Sequence, residues 1–167
     1  GTGSSQAITG VDFQPDMVWI KDRTVGFDHV LQDSVRGTTK IINSNQTYAE
    51  FTNANSITSF NSDGFTTGSY VATNQNTTTY VSWNWLGANG TASNTDGSIT
   101  STVSANTTSG FSIVSYTGNE TSGATVGHGL GSKPAMMIFK ERNGTTGWVV
   151  YHHKNTSAPA TEYLQLN

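Results

Sequence analysis

Eleven acidic residues are spread along the chain, and hydrolysis by a carboxylate pair is the first chemistry that they could perform. A glycosidase places two carboxylates on one sugar ring, and one of them has a raised pKa. Most acids here fall in predicted turns or at strand ends, and none lies in an aromatic-rich strand that would line a cleft. We interpret them as solvated turn residues, predict no catalytic residue, and rank a depolymerase enzyme last among the functions. The acids are Asp12, Asp16, Asp22, Asp28, Asp33, Glu50, Asp63, Asp96, Glu120, Glu141 and Glu162.

The four histidines are the next residues that could bind a metal or activate a nucleophile. His152 and His153 are adjacent, and neighbouring residues of a strand point to opposite faces, which is poor geometry for one metal ion. No His-x-His or His-Glu motif accompanies them, and no Gly-x-Ser-x-Gly elbow marks a serine nucleophile. The chain has no cysteine. We predict no metal and no cofactor, and we name His128, which lies between two glycines at a sharp turn, as a ligand-binding candidate.

Two Asp-Gly pairs, in residues 61–64 and 94–98, offer clustered oxygen atoms of the kind that Ca²⁺ prefers. Each segment has only one carboxylate, and neither matches the twelve-residue loop that ends in Glu. Asp-Gly pairs also favour the positive φ of tight turns. Turn formation is the simpler interpretation, and calcium binding stays open.

Aromatic residues give the clearest indication of a binding surface. In residues 79–85, alternation puts Val81, Trp83 and Trp85 on one face of a strand. Two tryptophans on one face could stack on a sugar or could fill the core between two sheets, and we favour the core. In that case, replacing Trp83 by Ala would cost about 3–5 kcal/mol.

We expect strands to position these residues, because the composition favours strands and turns. Only 11% of the residues are charged and 34% are hydrophobic, and Ser, Thr, Asn and 18 glycines supply most of the rest. Such a mixture is typical of many short strands joined by tight turns. We predict an all-β fold of antiparallel β-sandwich units, jelly-roll or lectin-like, in tandem. One short helix is predicted at residues 47–54. The predicted strands are residues 16–21, 28–33, 39–42, 56–60, 65–67, 79–85, 98–103, 111–116, 135–140, 148–152 and 163–166.

Charge and hydropathy exclude two classes of partner. The formal net charge of −3 argues against nucleic acid, because phosphate binding needs a basic patch. No signal peptide is visible, and no apolar stretch approaches the roughly 18–20 residues of a membrane-spanning helix. We therefore expect neither nucleic acid nor membrane as a partner.

An internal repeat is the most informative feature of the sequence. Residues 15–23 and 134–142 share the pattern Pro-x-Met-x-x-x-Lys-x-Arg, and carrying the alignment forward puts residues 28–32 on residues 147–151. After a small insertion, residues 41–45 fall on residues 163–167. The repeat predicts three segments: a first unit, 1–87, that lacks its opening strand; a linker, 88–109, with a candidate strand at 98–103; and the first half of a second unit, 110–167.

The repeat also bears on Trp19 and Trp148. Trp19 aligns with Ile138 and has apolar neighbours, so we expect it to be buried. Trp148 aligns with His29, which indicates an exposed and variable position. We therefore name Trp148 as the tryptophan most suited to meet a ligand.

Each unit lacks strands that the other contains, and this difference predicts unpaired strand edges. A counterpart of residues 111–116 is missing from the first unit, and a counterpart of residues 51–85 is missing from the second. An unpaired edge exposes a row of N–H and C=O groups, which a strand from another chain can pair with. We expect a homo-oligomer, or pairing with other proteins, through β-edges.

These segments resemble a repeat module of structural proteins from tailed bacteriophages, especially marine ones. The resemblance lies in residues 110–119, 126–131, 134–142 and 147–152, together with 61–65 and 79–83. It implies a virion protein of the tail-fibre or appendage kind, extracellular in its working state, with largely unknown function. Its expected partners are copies of itself, other virion proteins and host surface glycans. The alternative function is a lectin-like module that recognises those glycans.

Overall fold

The computed structural model describes residues 1–167, and its secondary structure is 37% strand and 2% helix. The prediction of an all-β fold is confirmed. No helix has the length and hydropathy to cross a membrane, since the single helix, α1, has four residues (Val71–Asn74). The strands are β1 Gln6–Ile8, β2 Met17–Asp22, β3 Val30–Asp33, β4 Lys40–Asn43, β5 Phe51–Thr52, β6 Ile57–Asn61, β7 Gly64–Thr67, β8 Tyr80–Trp85, β9 Ala92–Asn94, β10 Ser101–Asn106, β11 Phe111–Tyr116, β12 Met136–Phe139, β13 Val149–His152 and β14 Leu164–Gln165.

The strands form four antiparallel sheets. The largest has the order β5-β4-β3-β2-β8, and the three smaller ones have the orders β1-β7-β6, β11-β10-β9 and β12-β13-β14. Strand β2 is therefore flanked on both sides, by β3 and β8. Strand β12 pairs with β13 alone, so one of its edges is free.

The core lies between the five-stranded sheet and the sheet β1-β7-β6. Two clusters of buried apolar side chains fill this space. The first contains Val18, Ile20, Ile57 and Phe65, and the second contains Val30, Ile41 and Ala72. We call the side of the five-stranded sheet that carries these residues its core face and the opposite side its outer face.

The strand register confirms the internal repeat. Met17 lies opposite Asp33 at one end of the pair β2–β3. Met136 lies opposite His152 in the pair β12–β13, so both partners are displaced by the same 119 positions. In the third strand, Asn43 faces Val30 and Gln165 faces Val149. Gln165 lies 122 positions after Asn43, as the alignment with a small insertion predicted.

Hydrogen bonds outside the strands repeat in the same way. The Ser34 N–H donates to the Asp16 carbonyl over 2.8 Å, and His153 donates to Ala135 over 2.9 Å. The His29 N–H donates to the Asn45 side chain at 2.8 Å. At the aligned positions, the Trp148 N–H donates to the Asn167 side chain, also at 2.8 Å. The segments β2–β4 and β12–β14 therefore have the same three-stranded structure.

Residues 88–109, expected to be a linker, contain β9 and β10. These strands complete the sheet β11-β10-β9, which buried Asp16 ties to the first unit. The Asp16 carboxylate accepts hydrogen bonds from the Gly87 N–H at 2.8 Å and the Ser104 hydroxyl at 3.2 Å. Strand β10 begins at Ser101, three residues later than the start of the candidate strand 98–103.

Two further expectations are wrong. The helix expected at residues 47–54 is absent, because Phe51 and Thr52 form β5 and pair with β4. The acidic residues are not all solvated either, since Asp16, Asp22 and Asp33 are buried. Hydroxyl, N–H and guanidinium groups donate hydrogen bonds to these carboxylates, as the Arg36 guanidinium does to Asp33, although one oxygen of Asp22, Oδ2, has no partner.

Candidate functional site

A strip of aromatic rings crosses the outer face of the five-stranded sheet. Trp83 lies opposite Trp19, and Trp85 lies opposite Met17. The Trp19 ring centroid is 5.8 Å from that of Trp83 and 6.4 Å from that of Trp85, and Trp85 stacks on Phe111 at 6.2 Å. We call these four residues, Trp19, Trp83, Trp85 and Phe111, the aromatic strip.

The strip overturns the prediction that Val81, Trp83 and Trp85 face the core. Ser82 and Asn84 lie opposite the core residues Ile20 and Val18, so the tryptophans take the other face. Trp83 is 48% exposed. Trp19, expected to be buried, is only partly buried for the same reason. Alternation identified which residues share a face, but it did not identify which face is buried.

Trp148 is a buried anchor between the two units. Its side chain is only 4% exposed, and its indole Nε1–H donates to the carbonyls of Asn43 at 3.0 Å and Gln46 at 3.1 Å. The prediction that Trp148 is exposed is wrong, because the sheet β12-β13-β14, which we call the second sheet, packs this position against the first unit. The indole has its polar atom satisfied and its rings covered, so it offers no stacking surface to a ligand.

Glu50 is a second contact between the units, and sequence analysis missed it. The Glu50 N–H donates to the Arg142 carbonyl at 2.7 Å, and the Glu50 carboxylate accepts from the guanidinium groups of Arg142 and Arg36 at 2.9 and 3.1 Å. Burial alone raises the pKa of Glu50, but the hydrogen bonds from Arg142 and Arg36 outweigh burial and hold that pKa below its ordinary value. The carboxylate is therefore charged and bridges both units.

The second sheet leaves its own core face uncovered. Phe139, Val149 and Tyr163 are 40%, 38% and 60% exposed. Their aligned residues in the first unit are Ile20, Val30 and Ile41, which are buried. The opposite face of the second sheet carries Trp148 and Val150, which are buried, and Ile138 and Leu164, which are 44% and 46% exposed. The second unit therefore docks through the part of its outer face around Trp148 and Val150, and it exposes the surface that is core in the first.

In the first unit, the Asp63-Gly64 turn is fastened to the loop that precedes β2. The Asp63 carboxylate accepts the Gly10 N–H at 3.0 Å and the Asp12 N–H at 2.7 Å. These hydrogen bonds, from Gly10 first, lower the pKa of Asp63. Gly64 has φ of +124°, and a Cβ there would collide with the Ile8 carbonyl. The Asp-Gly pair thus joins the β6–β7 hairpin to β1 and its loop.

His128 lies in the loop before β12, which aligns with the loop before β2 in the first unit. Its Nδ1 accepts the Leu130 N–H at 3.1 Å. With Asp96, Gly129 and Lys133 it lines an open depression of about 590 Å³. No group of three or more His, Asp or Glu side chains is arranged to hold a metal ion.

Antiparallel sheets, a register repeated at a fixed offset and contacts that join one unit to the next define an all-β protein built on an internal repeat. Residues 1–167 match the model of a family described as a domain of unknown function, DUF7483, and the chain belongs to that family. No curated protein and no solved structure matches the chain.

Proposed function

We propose that the chain is a structural and adhesive module of a phage virion, part of a tail fibre, appendage or decoration. In this proposal it works through contact between repeat units and with other surfaces, and performs no catalysis. The resemblance to tailed-phage virion proteins supports the virion assignment. The uncovered core face of the second sheet carries the proposal of self-assembly, since it presents apolar residues at positions that the first unit buries.

Two contacts support a role in joining units end to end. The Trp148 indole and the Glu50–Arg142 pair each cross from one unit to the other, far apart in sequence. Repeat units that pack in this way suit a fibre, in which neighbouring units stabilise one another. Low charge leaves little electrostatic repulsion between packed copies.

The free edge of β12 supports association by strand pairing. In the first unit the equivalent strand, β2, pairs with β8 along six residues. β12 has no such partner, so its N–H and C=O groups on that side are available to another strand.

Sedimentation velocity over a wide range of protein concentration tests self-association. We expect concentration-dependent oligomers that disappear in Phe139→Asp, which charges the uncovered core face. Val25→Asp is the matched control, because Val25 is another exposed apolar residue, on a loop of the first unit. A monomer at every concentration would contradict self-assembly. Mass spectrometry of purified particles of a phage that encodes the protein tests the virion assignment.

The aromatic strip favours a second candidate function, recognition of host surface glycans. Trp83 offers a half-exposed ring on a sheet face, which is a surface on which a sugar ring can stack. A glycan array should then give a saturable, specific signal that is lost in Trp83→Ala and kept in Tyr116→Ala, another exposed aromatic residue. No specific signal from the parent chain would leave the strip without this function.

A further inference from the structure

The loop before β12 has the same backbone conformation as the loop before β2. Gly10 and Asp12 have φ of +84° and +66°, and Gly129 and Gly131, 119 positions later, have φ of +73° and +70°. In the first unit this conformation aims the N–H groups of residues 10 and 12 at one carboxylate, that of Asp63. The aligned N–H groups of the second loop are those of Gly129 and Gly131.

These N–H groups have no partner in the second unit. Neither the Gly129 nor the Gly131 N–H donates a hydrogen bond within the chain. Lys133 and Asp96 line the same depression, so its one positive and one negative residue balance, and the first unit has neutral Gln14 at the position of Lys133. A carboxylate is a strong acceptor for backbone N–H donors that lack a partner.

The apolar surface beside this loop is also prepared for a partner. In the first unit, the hairpin that carries Asp63 lays Ile57 and Phe65 on Val18 and Ile20. The aligned residues of the second unit are Met137, which is half-buried, and Phe139, which is exposed. Carboxylate site and apolar surface therefore adjoin in both units, and only the first has its hairpin.

We propose that the Gly129–Gly131 loop and the adjoining core face of the second sheet bind a β-hairpin with an Asp-Gly turn. The hairpin is supplied by another half-unit of this repeat, by which we mean the part that corresponds to residues 46–87. The Asp carboxylate accepts the N–H groups of Gly129 and Gly131, and apolar side chains equivalent to Ile57 and Phe65 cover Met137 and Phe139. This inference rests on the proposed function, because it names the group that completes the second unit.

A single extended chain tests the inference. Asn167 aligns with Asn45, so a second copy of residues 46–87 attached after Asn167 continues the residue order of the first unit. We expect amide hydrogen exchange in β12 and β13 to slow by about tenfold or more, which is the behaviour of strands that become part of a closed core. Asp63→Asn in the appended copy should remove most of that protection. The same substitution in the original copy is the matched control, since it should leave β12 and β13 protected.

The outcomes separate this inference from self-assembly. If the appended copy leaves exchange in β12 and β13 unchanged, the inference is overturned. Protection that persists with Asp63→Asn in the appended copy also overturns it, because the loop would then not be a carboxylate site. Protection that depends on that Asp63 supports the inference even if the parent chain sediments as a monomer, a result that contradicts self-assembly alone.

Discussion

The sheet of β2, β3 and β4 and the sheet of β12, β13 and β14 share one register but differ in what lies on their faces. In the first, the core face is covered by β6 and β7 and the free edge of β2 by β8. In the second, the core face and the β12 edge are both uncovered, while the outer face is packed on the neighbouring unit only around Trp148 and Val150. The same three-stranded pattern therefore occurs with its core face and edge covered in the first unit and with both uncovered in the second.

This difference shows that register and burial are set by different parts of the sequence. Register follows from the strands and their turns, which the two units share. Burial follows from the remaining strands of the first unit and from one exchanged residue, Trp148 in place of His29. Substitutions at aligned positions can therefore test each part separately.

Trp148→Ala should have the largest effect, because it removes the anchor between the units. We expect the free energy of unfolding to fall by about 3–5 kcal/mol, the usual cost of deleting a buried large aromatic side chain. Chemical denaturation followed by circular dichroism measures it. Trp83→Ala is the control, with an expected loss of about 1 kcal/mol or less at its half-exposed position. Equal losses in the two variants would contradict the assigned roles.

The pair Ile20→Ala and Phe139→Ala compares the two core faces directly. Ile20 is 2% exposed, so its truncation should cost about 2–4 kcal/mol. Phe139 is 40% exposed at the aligned position, and its truncation should cost less than about 1 kcal/mol. Denaturant midpoints measure both. A larger loss for Phe139→Ala would mean that the second core face is covered in solution.

Glu50→Gln should loosen the junction by a smaller amount. It removes the charge that Arg36 and Arg142 share, and we expect a loss of about 1–3 kcal/mol in the free energy of unfolding. A double-mutant cycle with Arg142→Gln isolates the pair that crosses between the units. Glu162→Gln, at an exposed residue, should change stability little. Zero coupling between Glu50 and Arg142 would show that their side-chain ion pair does not stabilise the junction.

Asp63 gives the smallest effect and makes it dependent on pH. Its pKa in the folded chain lies below the ordinary value of 3.8, so its contribution to stability is full above that value and is lost as the pH falls through the folded pKa. Asp63→Asn should therefore be less stable than the parent at neutral pH, and the two should converge in strong acid. Thermal unfolding at a series of pH values measures the difference, and a difference that does not change with pH would contradict the role of the charge.

The sequence was sufficient to predict most of the strands and the correspondence between β2–β4 and β12–β14. Pro-x-Met-x-x-x-Lys-x-Arg fixed one offset, and the three-residue insertion before β14 was visible in the alignment. Short strands such as β1 and β9 were missed because three residues are too few to show a periodic pattern. Residues 47–54 looked helical by propensity, but pairing of Phe51 and Thr52 with β4 prevailed.

Candidate site residues were harder to predict, because exposure depends on what packs from far away in sequence. The sequence neighbours of Trp83, which are Ser82 and Asn84, do not show that its ring is exposed, and Gly147 and Val149 do not show that the Trp148 ring is covered. Only the arrangement of sheets exposes the first and covers the second with Asn43 and Gln46. The Asp63 carboxylate was recognised as a turn residue, whereas its partners Gly10 and Asp12 are over fifty positions away.

The Trp148 contact joins two unlike surfaces, an indole on one unit and a pair of carbonyl oxygens on the other. Contacts between unlike surfaces do not close on themselves as a two-fold contact does, and when repeated they produce a ring or an open helix. Each further unit added through this contact would be related to the last by the same rotation and the same translation. The pitch and handedness of such a filament would then be set by how the Trp148 and Glu50–Arg142 contacts orient one unit on the next.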